Sequence, residues 1–300
     1  MAADFDALIY TWLNYLLQQG KSPYTIAAYR CALLHFVRWN QQTYDESFAP
    51  DSILPRDVRE WKASQLTIEK AAPRTVNQRL AGLSQFFTWG ILTSQLHTNP
   101  VVGVKSIALP AQKPQGISSQ HLRKLLRTVY RSQHLRNIAI LEVLAGTGIR
   151  VGELLGLQIG DVKLDKRSGS LTVRRGKREN YREIPLTKEV RLALQNYLQT
   201  HPERNGTDAP FWVGTKGALT HRSSILRILQ KYTLQAGLPD LHPHAFRHAF
   251  ATRYLVHNPD DLRGLASLLG HHSLDTVMIY TQPDWRDLTQ RMERMEIPDL

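Results

Sequence analysis

Between Ser106 and Ser119 the chain runs SIALPAQKPQGISS, and no regular element can cross it. Pro110 and Pro114 lack an N–H and interrupt any helix, and Gly116 adds backbone freedom. Such a break inside 300 residues leaves two hydrophobic patterns, each long enough to bury its own core. The expectation is a domain over 1–105, a linker over 106–117 and a second domain over 118–300. Charge divides at the same place. Residues 1–105 hold 10 Lys+Arg and 8 Asp+Glu, whereas residues 106–300 hold 28 and 18, so most of the net +12 sits in the second part. A polyanion is the natural partner for that charge. No apolar run reaches the roughly 18 residues that span a bilayer, so a membrane is not expected as partner. MAADFDALIY lacks the basic start of a secretory signal, so a cytoplasmic protein is expected. With a single cysteine there is no intramolecular disulfide and no Cys-based zinc cluster. Cys31 itself reads as a packed core thiol.

The first part is expected to be a bundle of four helices. Ser22 is a good N-cap and Pro23 suits the first helical position. Ile26, Tyr29, Leu33, Phe36 and Val37 then recur at helical spacing. Pro73 opens another helix, with Val76, Leu80, Leu83 and Phe87 on one stripe, and residues 4–19 and 55–68 read as two more. The second part is expected to be mainly helical with a small β element. Thr172 and Val173 resemble a strand, RRGKRENY is a polar turn, and REIPL returns. Residues 163–191 hold 10 Lys+Arg against 4 acids, so the tip of this hairpin is strongly positive. Helices are expected at about 187–200, 223–236, 244–257, 261–269 and 274–280.

Five pieces of the second part read together. In TGIRVGELLGL, Arg150 lies at the start of a helix and Glu153 is three residues on, on the same face. Lys177 sits on the hairpin tip. In LHPHAFRHAFAT, His244 and Arg247 are three apart on a helix that starts near Pro243, so both can reach one point. LLGHH follows, and then Tyr280 in MIYTQ, nine positions after His271. Taken alone, each is ordinary: an Arg–Glu helix pair is usually surface structure, and a lone Tyr is usually core.

In this order and spacing the pieces resemble the tyrosine site-specific recombinases, or phage integrase family, and most closely its compact Xer-type members. KSPYTIAAYR and LLHFVRW resemble the family's core-binding helices. The resemblance implies an N-terminal four-helix, SAM-like core-binding domain and an α-rich catalytic domain with a small antiparallel sheet. It implies an enzyme that cuts DNA by attack of a tyrosine on a phosphodiester, giving a 3′-phosphotyrosyl link and a free 5′-hydroxyl, with no metal and no cofactor. Arg150 and Arg247 match the family's phosphate clamps, suited to the task because a guanidinium can bond two phosphate oxygens at once. Tyr280 matches the nucleophile and His244 the base that helps it lose its proton. Lys177 matches the acid that protonates the leaving oxygen, although the family's GK-G-x-K reads GKRENYR here. His271 matches a further donor to the phosphate, with His272 beside it as an alternative. Glu153 matches a supporting acid with no chemical step.

Lys21, Arg30, Arg74 and Arg79 in the first part, and Arg174, Arg175, Arg178 and Arg182 around the hairpin, are expected to contact the DNA backbone. The implied partner is double-stranded DNA with an inverted-repeat site. The implied assembly is a tetramer on two sites, of one chain or of two related ones. Trp285, Leu288, Met292 and Met295 form one apolar stripe of an acidic tail helix at about 284–296, which the resemblance docks into a neighbouring subunit. A type IB-like topoisomerase and a non-catalytic DNA-binding regulator are the alternatives.

Overall fold

A computed structural model describes residues 2–109, 117–175, 180–200, 206–215, 217–270, 289 and 292. The chain forms two compact units, 1–112 and 113–300. Among the described residues no helix is long and apolar enough to cross a membrane.

The first unit is built from α1 (Ala2–Gln18), α2 (Pro23–Tyr44), α3 (Pro55–Thr67) and α4 (Pro73–Leu92). Three of these start on a proline, whose missing N–H costs nothing in the first turn. Ser22 caps α2 by accepting the Thr25 N–H at 3.1 Å. The apolar stripes meet in one core around Trp12, Leu33, Phe36, Trp61, Leu83 and Phe86. Gly82 lets α2 and α4 approach closely, since a Cβ there would stand 2.9 Å from that of Ala32. Cys31 is exposed rather than packed. It lies two residues from Leu33, about 200° around the helix, so burying Leu33 turns the thiol outward.

The first unit also holds the chain further than the expected boundary at residue 105. The Asn77 side chain both donates to and accepts from the backbone of Ile107, at 2.9 and 2.8 Å. Ile117, at the other end of the expected linker, is buried in the core of the second unit.

The second unit contains α5 (Ser119–Arg131), α6 (Leu135–Thr147), α7 (Val151–Leu155), β1 (Val162–Leu164), β2 (Gly169–Arg175), β3 (Asn180–Pro185) and α8 (Lys188–Leu198). There follow β4 (Val213–Gly214), β5 (Gly217–Ala218), α9 (Arg222–Gln235), α10 (Pro243–His257) and α11 (Leu262–Leu269). Helix α6 is the centre, buried without interruption from Asn137 to Ala145. The sheet runs β1-β2-β3, antiparallel throughout. Leu171, Val173 and Ile184 line its inner face. The register sets Val173 opposite Arg182 and Arg174 opposite Tyr181. Residues directly opposite share a face. Arg182 therefore projects to the buried side with Val173, and Arg174 to the open side with Tyr181. The ribbon of β4 and β5, strand β1 and helices α5 and α6 are elements that sequence periodicity did not supply. The expected helix at 274–280 lies outside the described residues, as does the tail helix apart from Thr289 and Met292.

Candidate active site

Three chain breaks bring the site together. Helix α6 ends on Gly148, whose φ of +62° is the left-handed conformation that glycine adopts without strain. The chain then turns into α7 with Arg150 as its N-cap residue. Helix α10 starts at Pro243, which places His244 and Arg247 on its first two turns. Helix α11 ends on Gly270, also left-handed at φ +66°, and exposes the carbonyls of its last turn.

Those carbonyls gather the arginines. Arg247, only 5% exposed, donates from Nη2 to the carbonyl of Leu269 at 2.7 Å and from Nη1 to that of Gly148 at 2.9 Å. Arg150 Nη1 reaches the same Leu269 oxygen at 3.5 Å. Arg182 Nε donates to the carbonyl of Leu268 at 2.8 Å. The negative end of the α11 dipole thus sits under three guanidinium groups.

Glu153 ties two of them together. Its carboxylate accepts the Arg150 N–H at 2.8 Å and Arg150 Nη1 at 3.0 Å. It also accepts both terminal nitrogens of Arg182, at 3.1 and 2.8 Å. Burial pushes the Glu153 carboxyl upward. The bonds from Arg182 and from the Arg150 backbone outweigh it, so the group is held below the usual carboxylate range. Glu153 is an anion that fixes the direction of Arg150. Gly270 gives Arg182 room, since a Cβ there would lie 2.8 Å from its Nη1.

Arg150, Gly152, Arg222, Leu226, His244 and Arg247 line a cleft of about 210 Å³. His244 titrates below its ordinary 6.5. Partial burial disfavours the imidazolium, and Arg247, Arg150, Arg222 and His242 repel it. The cleft therefore presents permanent cations beside a neutral, proton-accepting imidazole. Such a set can hold a phosphodiester, stabilise the charge of a pentacoordinate phosphoryl group and take up a proton.

Of the expected site residues, Arg150, Glu153, His244 and Arg247 come together here. Lys177, Arg178, His271 and Tyr280 lie outside the described residues, as does the side chain of Arg175. Arg182 does not face outward for a DNA backbone: its side chain is 11% exposed and spends its donors on Glu153 and Leu268. Arg79 is partly exposed and bonded within its own unit. Its Nη1 donates to Gln65 and Glu69, both at 3.0 Å, and Glu69 also pairs with His35. Lys21, Arg30 and Arg74 are exposed, and Arg174 is exposed while its Nε pairs with Asp161 at 2.7 Å. Arg222 is the cleft residue that sequence reading missed. It sits in the first turn of α9, far from every motif in sequence, and only the fold brings it there.

The chain matches the phage integrase family over residues 116–286, and the phage integrase N-terminal SAM-like domain over residues 8–95. Tyrosine recombinase XerC of Herpetosiphon aurantiacus is 33% identical over 277 residues, covering 90% of this chain and 88% of that protein. XerC of Neisseria meningitidis serogroup C, serotype 2a, is 30% identical over 290 residues, covering 95% and 92%. The crystal structure of XerA recombinase matches with a TM-score of 0.53 at 25% identity, covering 98% of this chain and 100% of that one. XerH bound to its difH substrate before cleavage has the same fold, with a TM-score of 0.70 at 22% identity, over 90% of this chain and 79% of that one. These relatives do not favour a topoisomerase or a non-catalytic regulator. The chain belongs to the phage integrase family and is a Xer-like tyrosine recombinase, an enzyme that cleaves and rejoins DNA.

Proposed function

We propose that the chain exchanges strands between two copies of an inverted-repeat DNA site, with Tyr280 as nucleophile and the cleft around Arg150 and Arg247 as the phosphate site. One observation carries this reading. Arg150, Arg247 and a neutral His244 converge on one cleft, and both arginines are braced on the carbonyl of Leu269.

The two guanidinium groups bind the non-bridging oxygens of the scissile phosphate and stabilise the charge that builds on them. The Tyr280 oxygen attacks phosphorus while its proton passes to His244. A phenol with an ordinary pKa near ~10 needs such an acceptor at neutral pH. The phosphorus–O5′ bond breaks, and Lys177 gives its proton to O5′, which leaves as the 5′-hydroxyl. Arginine stays protonated and cannot take that role. His271 donates a further hydrogen bond to the phosphate. Glu153 and Arg182 position Arg150. The phosphotyrosyl bond conserves the energy of the broken phosphodiester, so the 5′-hydroxyl of another strand can reverse the step and seal the exchanged joint.

The assembly is a tetramer on two sites, made of one chain or shared with a related recombinase, and it works at the bacterial nucleoid. The acidic tail with its stripe of Trp285, Leu288, Met292 and Met295 links neighbouring subunits. The biological event is resolution of chromosome, plasmid or transposon multimers, or movement of a mobile element. The test is to incubate the purified chain with fragmented bacterial DNA, denature, and sequence the fragments that remain covalently attached. One recurring inverted-repeat sequence is the expected result. Attached DNA without a common sequence would overturn the site-specific reading.

A further inference from the structure

Arg222 shares the cleft with Arg150 and Arg247, yet it is held differently. Arg247 is anchored on two carbonyls and Arg150 on Glu153. Arg222 has no hydrogen bond or ion pair among the described residues, and its side chain is exposed. It is the first residue of α9, where the positive end of the helix dipole disfavours a cation, and no acid occupies that turn. A third guanidinium in a cleft that already holds two raises the repulsion further. No hydrogen bond or ion pair among the described residues repays this cost, and Arg222 belongs to no buried core cluster. An anion would repay it. Gly152 leaves room for the guanidinium itself: a Cβ there would lie 3.1 Å from Arg222 Nη2, so the side chain rests against the first turn of α7 at the cleft wall.

We propose that Arg222 is a DNA-phosphate ligand, and that it binds the phosphate adjoining the one that is cut. Arg150 and Arg247 both reach the Leu269 carbonyl, so they flank one point and can take the two non-bridging oxygens of a single phosphate. Arg222 comes from a different wall and has no bond to that carbonyl. A DNA strand carries a charge about every 3.4 Å of rise, so the next phosphate follows close by. Its binding would hold the strand in line for attack, and the same cation helps keep His244 unprotonated.

The inference rests on the phosphate-site reading of the cleft, and its first test needs no cleavage. Binding of the full chain to a random-sequence duplex is measured from 50 to 300 mM salt for wild type, R222Q and R222K. Each phosphate contact contributes about 0.9 to the slope of log K against log salt. R222Q is expected to lower that slope by about 0.9 and to weaken binding about tenfold, the scale of a lost charge-assisted hydrogen bond. R222K keeps the charge and is expected to retain the slope, which a merely structural role would not produce. An unchanged slope in R222Q overturns the proposal, even if DNA is still trapped covalently. A lowered slope with no trapped DNA in wild type would instead fail the cleavage reading alone. On a trapped site, single methylphosphonate substitutions then locate the contact. The R222Q defect should vanish when the adjoining phosphate is neutral. If it vanishes at the scissile phosphate, the assignment to its neighbour is wrong.

Discussion

Glu153→Met should be one of the most damaging single changes in the second unit. The carboxylate accepts four hydrogen bonds, two from Arg150 and two from Arg182, and its side chain is 15% exposed. Removing it leaves the Arg182 cation, 11% exposed, without its counter-charge. Breaking one side of a buried pair costs about 3–5 kcal/mol, a large part of a typical stability of about 5–15 kcal/mol. With an m value of about 2 kcal/mol/M, the urea midpoint followed by circular dichroism should fall by about 2 M. The double variant Glu153→Met/Arg182→Met removes both charges and should lose less than the two single variants together. The pH dependence has a defined sign. The folded carboxyl titrates below its ordinary 4.5, so its stabilisation is complete above that value. It is lost as pH falls through the lower folded value, and the gap between wild type and variant should close there. A loss under about 1 kcal/mol at pH 7, or a gap that persists in acid, would refute the reasoning.

Gly270→Ala should cost about 1–2 kcal/mol for the left-handed backbone alone, and should also displace Arg182, whose Nη1 is 2.8 Å from the new Cβ. A thermal midpoint equal to wild type would contradict this. His244 Cε1–H, followed by NMR in the free protein, should titrate below 6.5, and Arg222→Gln should move it back toward 6.5, because burial and the cations of the cleft depress it. A midpoint at or above 6.5 in wild type would refute that cause. Deleting residues 285–300 should leave binding to a single DNA site nearly unchanged and reduce strand exchange at least tenfold, a rate effect of about 1.4 kcal/mol. Full strand exchange by the truncated chain would rule out the tail as the link between subunits.

The helices of the first unit were legible because two independent signals agree there. A proline or serine marks each of the clear starts, and apolar residues recur on one face after it. Helix α6 was not legible by the same method, because it is buried all round and has no polar face to set a period. Cys31 has apolar neighbours yet is exposed, because two positions along a helix from buried Leu33 is nearly the opposite side.

The site was legible where the chemistry depends on short spacings. Arg150 and Glu153, and His244 and Arg247, are each three apart on a helix and meet as that spacing requires. The burial of Arg182 is legible in the strand pattern. The residue alternates with Ile184 on β3, so the face that buries Ile184 also buries Arg182, and a buried arginine needs an acid. The ion pair of Arg79 was not legible: its partner Glu69 is on the segment that follows α3, and sequence distance hides the pair. Arg222 enters the cleft through tertiary folding alone, and no local pattern announces it.

The proposed cleavage step is attack of Tyr280 on a phosphate held by Arg150 and Arg247. It is tested most directly with a nicked duplex carrying the recognised site, labelled on either side of the cut and resolved by denaturing electrophoresis. Wild type should form a protein–DNA adduct through the 3′ side of the break and release a 5′-hydroxyl strand, and Tyr280→Phe should form none. An adduct that survives in Tyr280→Phe, or one attached through the 5′ side, would contradict the account.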